Sequence, residues 1–254
     1  MLEIRGLKKV YNPGTVTEMT LFDGFDLSVP DGQFVSIVGS NGSGKTSLLN
    51  IICGSIPMDG GDVVVDGKSL RKLKDFQRYG TIGRVYQNPS LGTAPNLTML
   101  ENLSLADNKG KGFGLTRGIN RKRQEFYRQE LSGLGLGLED KLDVKMGALS
   151  GGQRQAVALL MATLTPLQFL ILDEHTAALD PRTAEAIMVL TGKLVREKRL
   201  TALMVTHNLR YAVEYGDRLL MLDRGKIALD RAGEEKAATT TDDILQIFGQ
   251  ISMQ

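Results

Sequence analysis

Apolar residues in this chain fall into short runs separated by turn residues. Runs of strand length cover 26–29, 34–38, 63–65, 82–86, 169–172, 202–206 and 218–222. Longer stretches with helical spacing lie between several of them, at 46–53, 153–164, 182–197 and 209–215. Strands alternating with helices predict a largely parallel sheet covered on both faces. The first strands break this rhythm. They lie close together, with Pro30-Asp31-Gly32 and Met58-Asp59-Gly60-Gly61 as turns. An antiparallel β section is therefore expected near the N-terminus.

The stretch 97–138 reads as helical with one interruption. Thr98 followed by Glu101 has the spacing of a capping box. The interruption, 109–118, is rich in glycine and lysine. Arg121-Lys122-Arg123 then opens a second helix through Phe126, Tyr127 and Leu131. This basic cluster is expected to be a solvated face rather than a patch for acidic lipid or nucleic acid. From Ala232 onward the chain is polar until 244–247, which predicts a short surface helix.

Composition narrows the function classes. A chain of 254 residues with 42% apolar content suits one large α/β unit. A net charge of +2 does not point to an electrostatic nucleic-acid binder. Cys53 is the single cysteine, so a disulfide framework is excluded and a cysteine zinc site is not expected. The opening MLEIRGLKKV lacks the apolar core of a signal peptide. No run approaches the roughly 18 uncharged apolar residues of a membrane span. The chain is expected to be soluble, with any spanning part supplied by another chain.

The sharpest motif is Gly39-Ser40-Asn41-Gly42-Ser43-Gly44-Lys45-Thr46, which fills every fixed position of a phosphate-binding loop. It follows the strand at 34–38 and opens an apolar helix, as that motif requires. Glycines let the backbone approach phosphate and turn its N–H groups inward. The next helix presents its positive dipole end. Lys45 is expected to reach the β- and γ-phosphates, and Thr46 to offer a hydroxyl to Mg²⁺. With the adjacent Ser47, these residues form the candidate ATP-phosphate site.

The strand 169–172 runs directly into Asp173 and Glu174. Two acids also begin many surface loops. Behind a phosphate loop they point to chemistry instead: Asp173 to hold Mg²⁺, Glu174 to polarise an attacking water.

Leu149-Ser150-Gly151-Gly152-Gln153 stands immediately before a helix expected at 154–164. A serine and two glycines at a helix N-terminus make a second anion-seeking element. With this signature the sequence closely resembles the ABC ATPase family. The resemblance implies a P-loop NTPase (RecA-like) α/β core with an N-terminal antiparallel β subdomain and an inserted helical subdomain. It divides the single domain 1–254 into core and β regions at 1–90 and 165–230, a helical signature region at 91–164 and a tail at 231–254.

The same resemblance assigns further residues. Tyr11 is similar to the aromatic that stacks on adenine. Gln87 looks like the glutamine that senses Mg²⁺ and water. Asp180, in Ala178-Leu179-Asp180, resembles the loop crossing a dimer interface. His207 looks like the switch histidine at the γ-phosphate. The family works as head-to-tail dimers, so Ser150, Gly151, Gly152 and Gln153 of one chain would cover ATP bound by the other. His175 stands where the family more often has proline and is expected to be a loop residue, not a second base. Ala177 likewise stands in place of a common serine.

The segment from Gln87 to Asn102 resembles the surface that receives a coupling helix of a permease. The implied protein is an importer ATPase at the cytoplasmic face of the membrane, with a permease and a substrate-binding lipoprotein as partners. Amino-acid uptake of the tryptophan or tyrosine type is the nearest group. An exporter subunit or a non-transport membrane regulator is the alternative.

Overall fold

The computed structural model describes residues 1–109 and 118–252. In chain order the elements are β1 (Leu2–Tyr11), β2 (Met19–Val29), β3 (Phe34–Gly39), α1 (Lys45–Cys53), β4 (Gly60–Val65), β5 (Lys68–Ser69), α2 (Asp75–Arg78), β6 (Ile82–Val85), α3 (Met99–Asp107), α4 (Gln124–Ser132), α5 (Gly151–Thr163), β7 (Phe169–Asp173), α6 (Pro181–Glu197), β8 (Ala202–Val205), α7 (Leu209–Glu214), β9 (Arg218–Asp223), β10 (Lys226–Ala232), α8 (Gly233–Ala237) and α9 (Thr241–Ser252).

The larger sheet has the order β10-β9-β3-β8-β7-β6. Its β3, β6, β7, β8 and β9 pair in parallel, and β10 closes one edge antiparallel to β9. The central strands β3 and β8 are buried along their whole length, as a sheet covered on both faces requires. The smaller sheet, β2-β1-β4-β5, is antiparallel throughout. It packs with α1 around Leu7, Phe22, Leu49 and Ile52. The expected α/β class, with its N-terminal antiparallel section, is the architecture of this chain.

Helices α3, α4 and α5 enclose a separate core that includes Leu103, Tyr127, Leu131 and Leu160. Tyr127 is fully buried, and its hydroxyl donates to Asp107 Oδ2 at 2.9 Å. That partner matters because a buried phenol without one would be costly. The capping box expected at Thr98 is formed: its hydroxyl accepts from Glu101 N–H, and the Glu101 carboxylate accepts from Thr98 N–H. The glycine- and lysine-rich interruption lies, from 110 to 117, outside the described residues.

Two strands are missed by the sequence reading and one expectation needs correction. β1 is not legible as a strand, because register shifts between Ile4 and Leu7 and between Lys9 and Val10 spoil its alternation. β10 is an edge strand of alternating half-exposed residues and carries no apolar run. The C-terminal helix is not a surface appendage. Ile244 of α9 is fully buried with Val38, Ala212, Leu219 and Met221. Burying one such side chain stabilises the docking of α9 by roughly 1.5–3 kcal/mol.

Candidate active site

The loop between β3 and α1 is shaped by contacts that only glycine tolerates. A Cβ on Gly39 would stand 2.3 Å from the Leu222 carbonyl oxygen on the neighbouring strand β9. Gly44 adopts φ 104° at the start of α1, and a Cβ there would meet the Phe22 ring at 2.9 Å. With glycine at the cap, no side chain competes for the first-turn N–H groups of α1. Those groups and the helix dipole favour an anion. Lys45 lies over the loop, its Nζ donating to Gly39 O at 2.7 Å and Ser40 O at 2.8 Å. Burial holds its pKa below the usual lysine value, opposed by the Glu174 carboxylate.

A cavity of about 340 Å³ opens over this loop, lined by Asn41, Gly42 and Gly44 through Ser47, with Tyr11, Met19, Leu21, Glu174 and His207 around them. The Tyr11 hydroxyl is 3.0 Å from Ser47 Oγ, and Lys9 Nζ lies 5.4 Å from the centre of the tyrosine ring. On the opposite wall, Glu174 follows β7 with φ 48°, a left-handed conformation rare for a residue with a side chain. Its N–H is tied to Val205 O of β8 at 2.9 Å. Its Oε1 is 2.8 Å from Nε2 of His207, which follows β8.

A second cavity of about 420 Å³ adjoins the first and is lined by Thr46, Gln87, Asp173 and Glu174 among others. A hydroxyl, an amide and carboxylates are hard oxygen donors of the kind Mg²⁺ takes. Among the described residues no cluster of three or more His, Cys, Asp or Glu could hold a metal alone. The donor set therefore suits a cation whose remaining ligands come from phosphate and water.

The signature residues lie elsewhere. Ser150 caps α5, its Oγ accepting from Gln153 N–H at 3.2 Å, while the Gln153 side chain accepts from Ser150 N–H. A Cβ on Gly152 would fall 2.1 Å from Thr183 Cγ2, at the first turn of α6. Asp180 caps that same helix through Thr183 N–H at 3.0 Å, which lowers the pKa of its carboxyl. Among the described residues, Ser150, Gly151, Gly152, Gln153 and Asp180 line neither cavity. One chain thus carries two anion-seeking elements at separate places.

Residues 22–177 match the family model described as ABC transporter. The chain belongs to that family. A tyrosine transport ATP-binding protein of Clostridioides difficile is 46% identical over 248 residues, covering 98% of each chain. A lipoprotein-releasing system ATP-binding protein of Cereibacter sphaeroides is 35% identical over 89% of this chain and 98% of its own. A dimeric ATP-binding cassette solved in a post-hydrolysis state with ADP and Pi has a TM-score of 0.76 at 31% identity, over 91% of this chain and 98% of that one. This chain is accordingly an ATP-binding, ATP-hydrolysing cassette that energises transport. Among the described residues no helix is long and apolar enough to cross a membrane.

Two residues of this ABC cassette, Arg84 and Lys109, escape a reading of the sequence, and a third, His175, is only partly read. Arg84, inside the short apolar strand β6, donates to Asp173 Oδ2 at 2.6 Å and to Asn50 Oδ1 at 2.8 Å. Its signal is a lone charge in an apolar strand next to a strand ending in an acid. His175 is a loop residue as expected, but it is 1% exposed and bonded to Thr191 Oγ1 at 3.0 Å. Burial pushes its pKa down to about 4, so it is neutral at physiological pH. Lys109 donates to Ile82 O at 2.9 Å, and burial lowers its pKa to about 8. Nothing in the local sequence marks it.

Proposed function

We propose that this cassette powers uptake of a small solute of the amino-acid class, with aromatic amino acids as the first candidates. The observation that carries this reading is the 46% identity to a tyrosine transport ATP-binding protein along 98% of both chains. The lipoprotein-releasing relative supports export as a second reading, at 35% identity. Cargo is chosen by other subunits, so the test lies in the partners.

In this mechanism the loop N–H groups of 39–46 and Lys45 bind the β- and γ-phosphates of ATP, with Ser47 beside them and the Tyr11 ring against adenine. Thr46, Asp173 and Gln87 are the residues that would hold Mg²⁺, which would supply charge stabilisation to the phosphates. Glu174 orients a water for in-line attack on the γ-phosphorus and takes its proton. The new bond is water oxygen to phosphorus; the bond to the β–γ bridging oxygen breaks, and ADP leaves. His207 holds the Glu174 carboxylate in place and supports charge that develops on the γ-phosphoryl oxygens. Ser150, Gly151, Gly152 and Gln153 of a second copy cover the nucleotide, and the loop ending at Asp180 crosses between copies. Loss of that bridging on hydrolysis opens the pair, a two-state motion able to drive a permease.

The permease segment is assigned to a groove of about 380 Å³ lined by Tyr86, Leu91, Leu105, Lys109 and Met161. Leu91 and Leu105 are exposed there. This docking would hold the chain at the cytoplasmic face of the membrane, with a substrate-binding lipoprotein as the third component. The test is to purify the tagged cassette with its membrane complex and assay its ATPase with candidate solutes. A permease and binding lipoprotein, with turnover stimulated by tyrosine or tryptophan, support the reading. Copurification with a periplasm-spanning adaptor instead would overturn import.

A further inference from the structure

Arg84 and Asp173 form an ion pair that stability alone does not explain. The two side chains are only 6% and 14% exposed. Withdrawing two such charges from water is expensive, and an apolar pair of similar volume stabilises a fold as well or better. The register of β6 on β7 puts Arg84 opposite Ile171, so its side chain shares a sheet face with Asp173, two residues further on. The guanidinium also binds Asn50 of α1 and lies 4.7 Å from the centre of the Tyr86 ring, immediately before Gln87. It is therefore fixed from three sides. Asp173 Oδ2 is taken by Arg84, and among the described residues Oδ1 accepts no hydrogen bond.

We propose that Arg84 is a positioning residue for the metal carboxylate: it occupies one oxygen of Asp173, presents the other to the divalent cation, and moderates that cation's hold by its own charge. This rests on the reading that Asp173 serves the cation. The arrangement has a consequence that a purely structural pair lacks. Removing the guanidinium leaves a largely buried carboxylate without its ion-pair partner, which attracts a cation more strongly but no longer holds one fixed orientation.

The test uses the full chain with a non-hydrolysable ATP analogue and Mn²⁺ as the probe, read by electron paramagnetic resonance. Arg84→Met should bind Mn²⁺ at least about fivefold more tightly, while kcat falls at least about tenfold and KM for ATP stays within about twofold. Arg84→Lys, which keeps the charge, should stay within about twofold of wild-type Mn²⁺ affinity. If Arg84→Met does not fold, Arg84→Gln carries the same expectation. Unchanged or weaker Mn²⁺ binding in the neutral variant overturns the proposal. Asp173→Asn separates the two readings: it should weaken Mn²⁺ at least about tenfold, and if it does not, the metal assignment itself is wrong.

Discussion

Nε2 of His207 stands 2.8 Å from Oε1 of Glu174, joining the ends of strands β7 and β8 across the mouth of the nucleotide cavity. A carboxylate held this way has one oxygen committed, and among the described residues no hydrogen bond takes the other, which can receive a proton from water. Glu174→Gln should lower kcat by about 100-fold or more while leaving ATP affinity within about twofold. His207→Ala should cost about 10- to 100-fold. Because the two act as a unit, the double variant should lose far less than the product of the single losses. Steady-state ATPase with parallel nucleotide-binding titrations decides this. Additive losses would mean that the contact is incidental.

The phosphate loop makes a different kind of demand. Gly39 pairs with Leu222 in the sheet, and its absent side chain is replaced by a carbonyl oxygen that cannot withdraw without breaking the pairing. Gly39→Ala should destabilise the fold by about 1–3 kcal/mol and abolish ATP binding. Gly42 has φ 81° with open space around its α-carbon. Gly42→Ala meets only backbone strain, about 1–2 kcal/mol. Melting curves of the two variants should show the larger drop for Gly39→Ala. The reverse order would show that the pairing of β3 with β9 yields more easily than this packing allows.

Much of this is readable in the order of amino acids alone. The strands β3, β7, β8 and β9 sit in the centre of a two-sided sheet, so their residues form continuous apolar runs. The phosphate loop and signature carry chemistry that few other folds need. What escapes is information held by partners distant in sequence. A bulged β1 and a half-exposed β10 have no clean period. The apolar run that starts at Ile244 reads as a short surface helix until α7 and β9 are placed against it. Arg84 makes no sense locally; its partner is at the end of the neighbouring strand.

His175 illustrates the same point and yields a pH prediction. Thr191 gives its own hydroxyl proton to Ile187 O at 2.8 Å, so the 3.0 Å contact with His175 requires Nε2–H of the histidine as donor. The ring is neutral, with its folded pKa pushed down to about 4 against about 6.5 when unfolded. The unfolded chain therefore binds the proton more readily. Stability from this site is complete above about pH 6.5 and is lost as pH falls towards 4, by an amount on the order of 3 kcal/mol. His175→Gln should flatten the melting temperature across that window. Thr191→Val should lower stability by about 1–3 kcal/mol at pH 7, because it leaves a buried N–H without an acceptor. An unchanged pH slope in His175→Gln would show that other groups set the acid limb.

The separation of the signature from the nucleotide cavity gives the last test. If each ATP is completed by a second copy, damage at Gly152 should spare nucleotide binding and destroy hydrolysis. A Cβ at Gly152 lands 2.1 Å from Thr183 Cγ2, so Gly152→Ala must shift the start of α5 away from α6. The loop between β3 and α1 is untouched by that shift. Gly152→Ala should therefore bind ATP within about twofold of wild type but hydrolyse it at least about tenfold more slowly. In the Glu174→Gln background, which should elute from gel filtration as a dimer with ATP and Mg²⁺, adding Gly152→Ala should return the monomer. Lys45→Ala should do the same by the opposite route, through lost binding. A dimer that survives Gly152→Ala would mean that the signature does not bridge the copies, and the two-chain site would have to be abandoned.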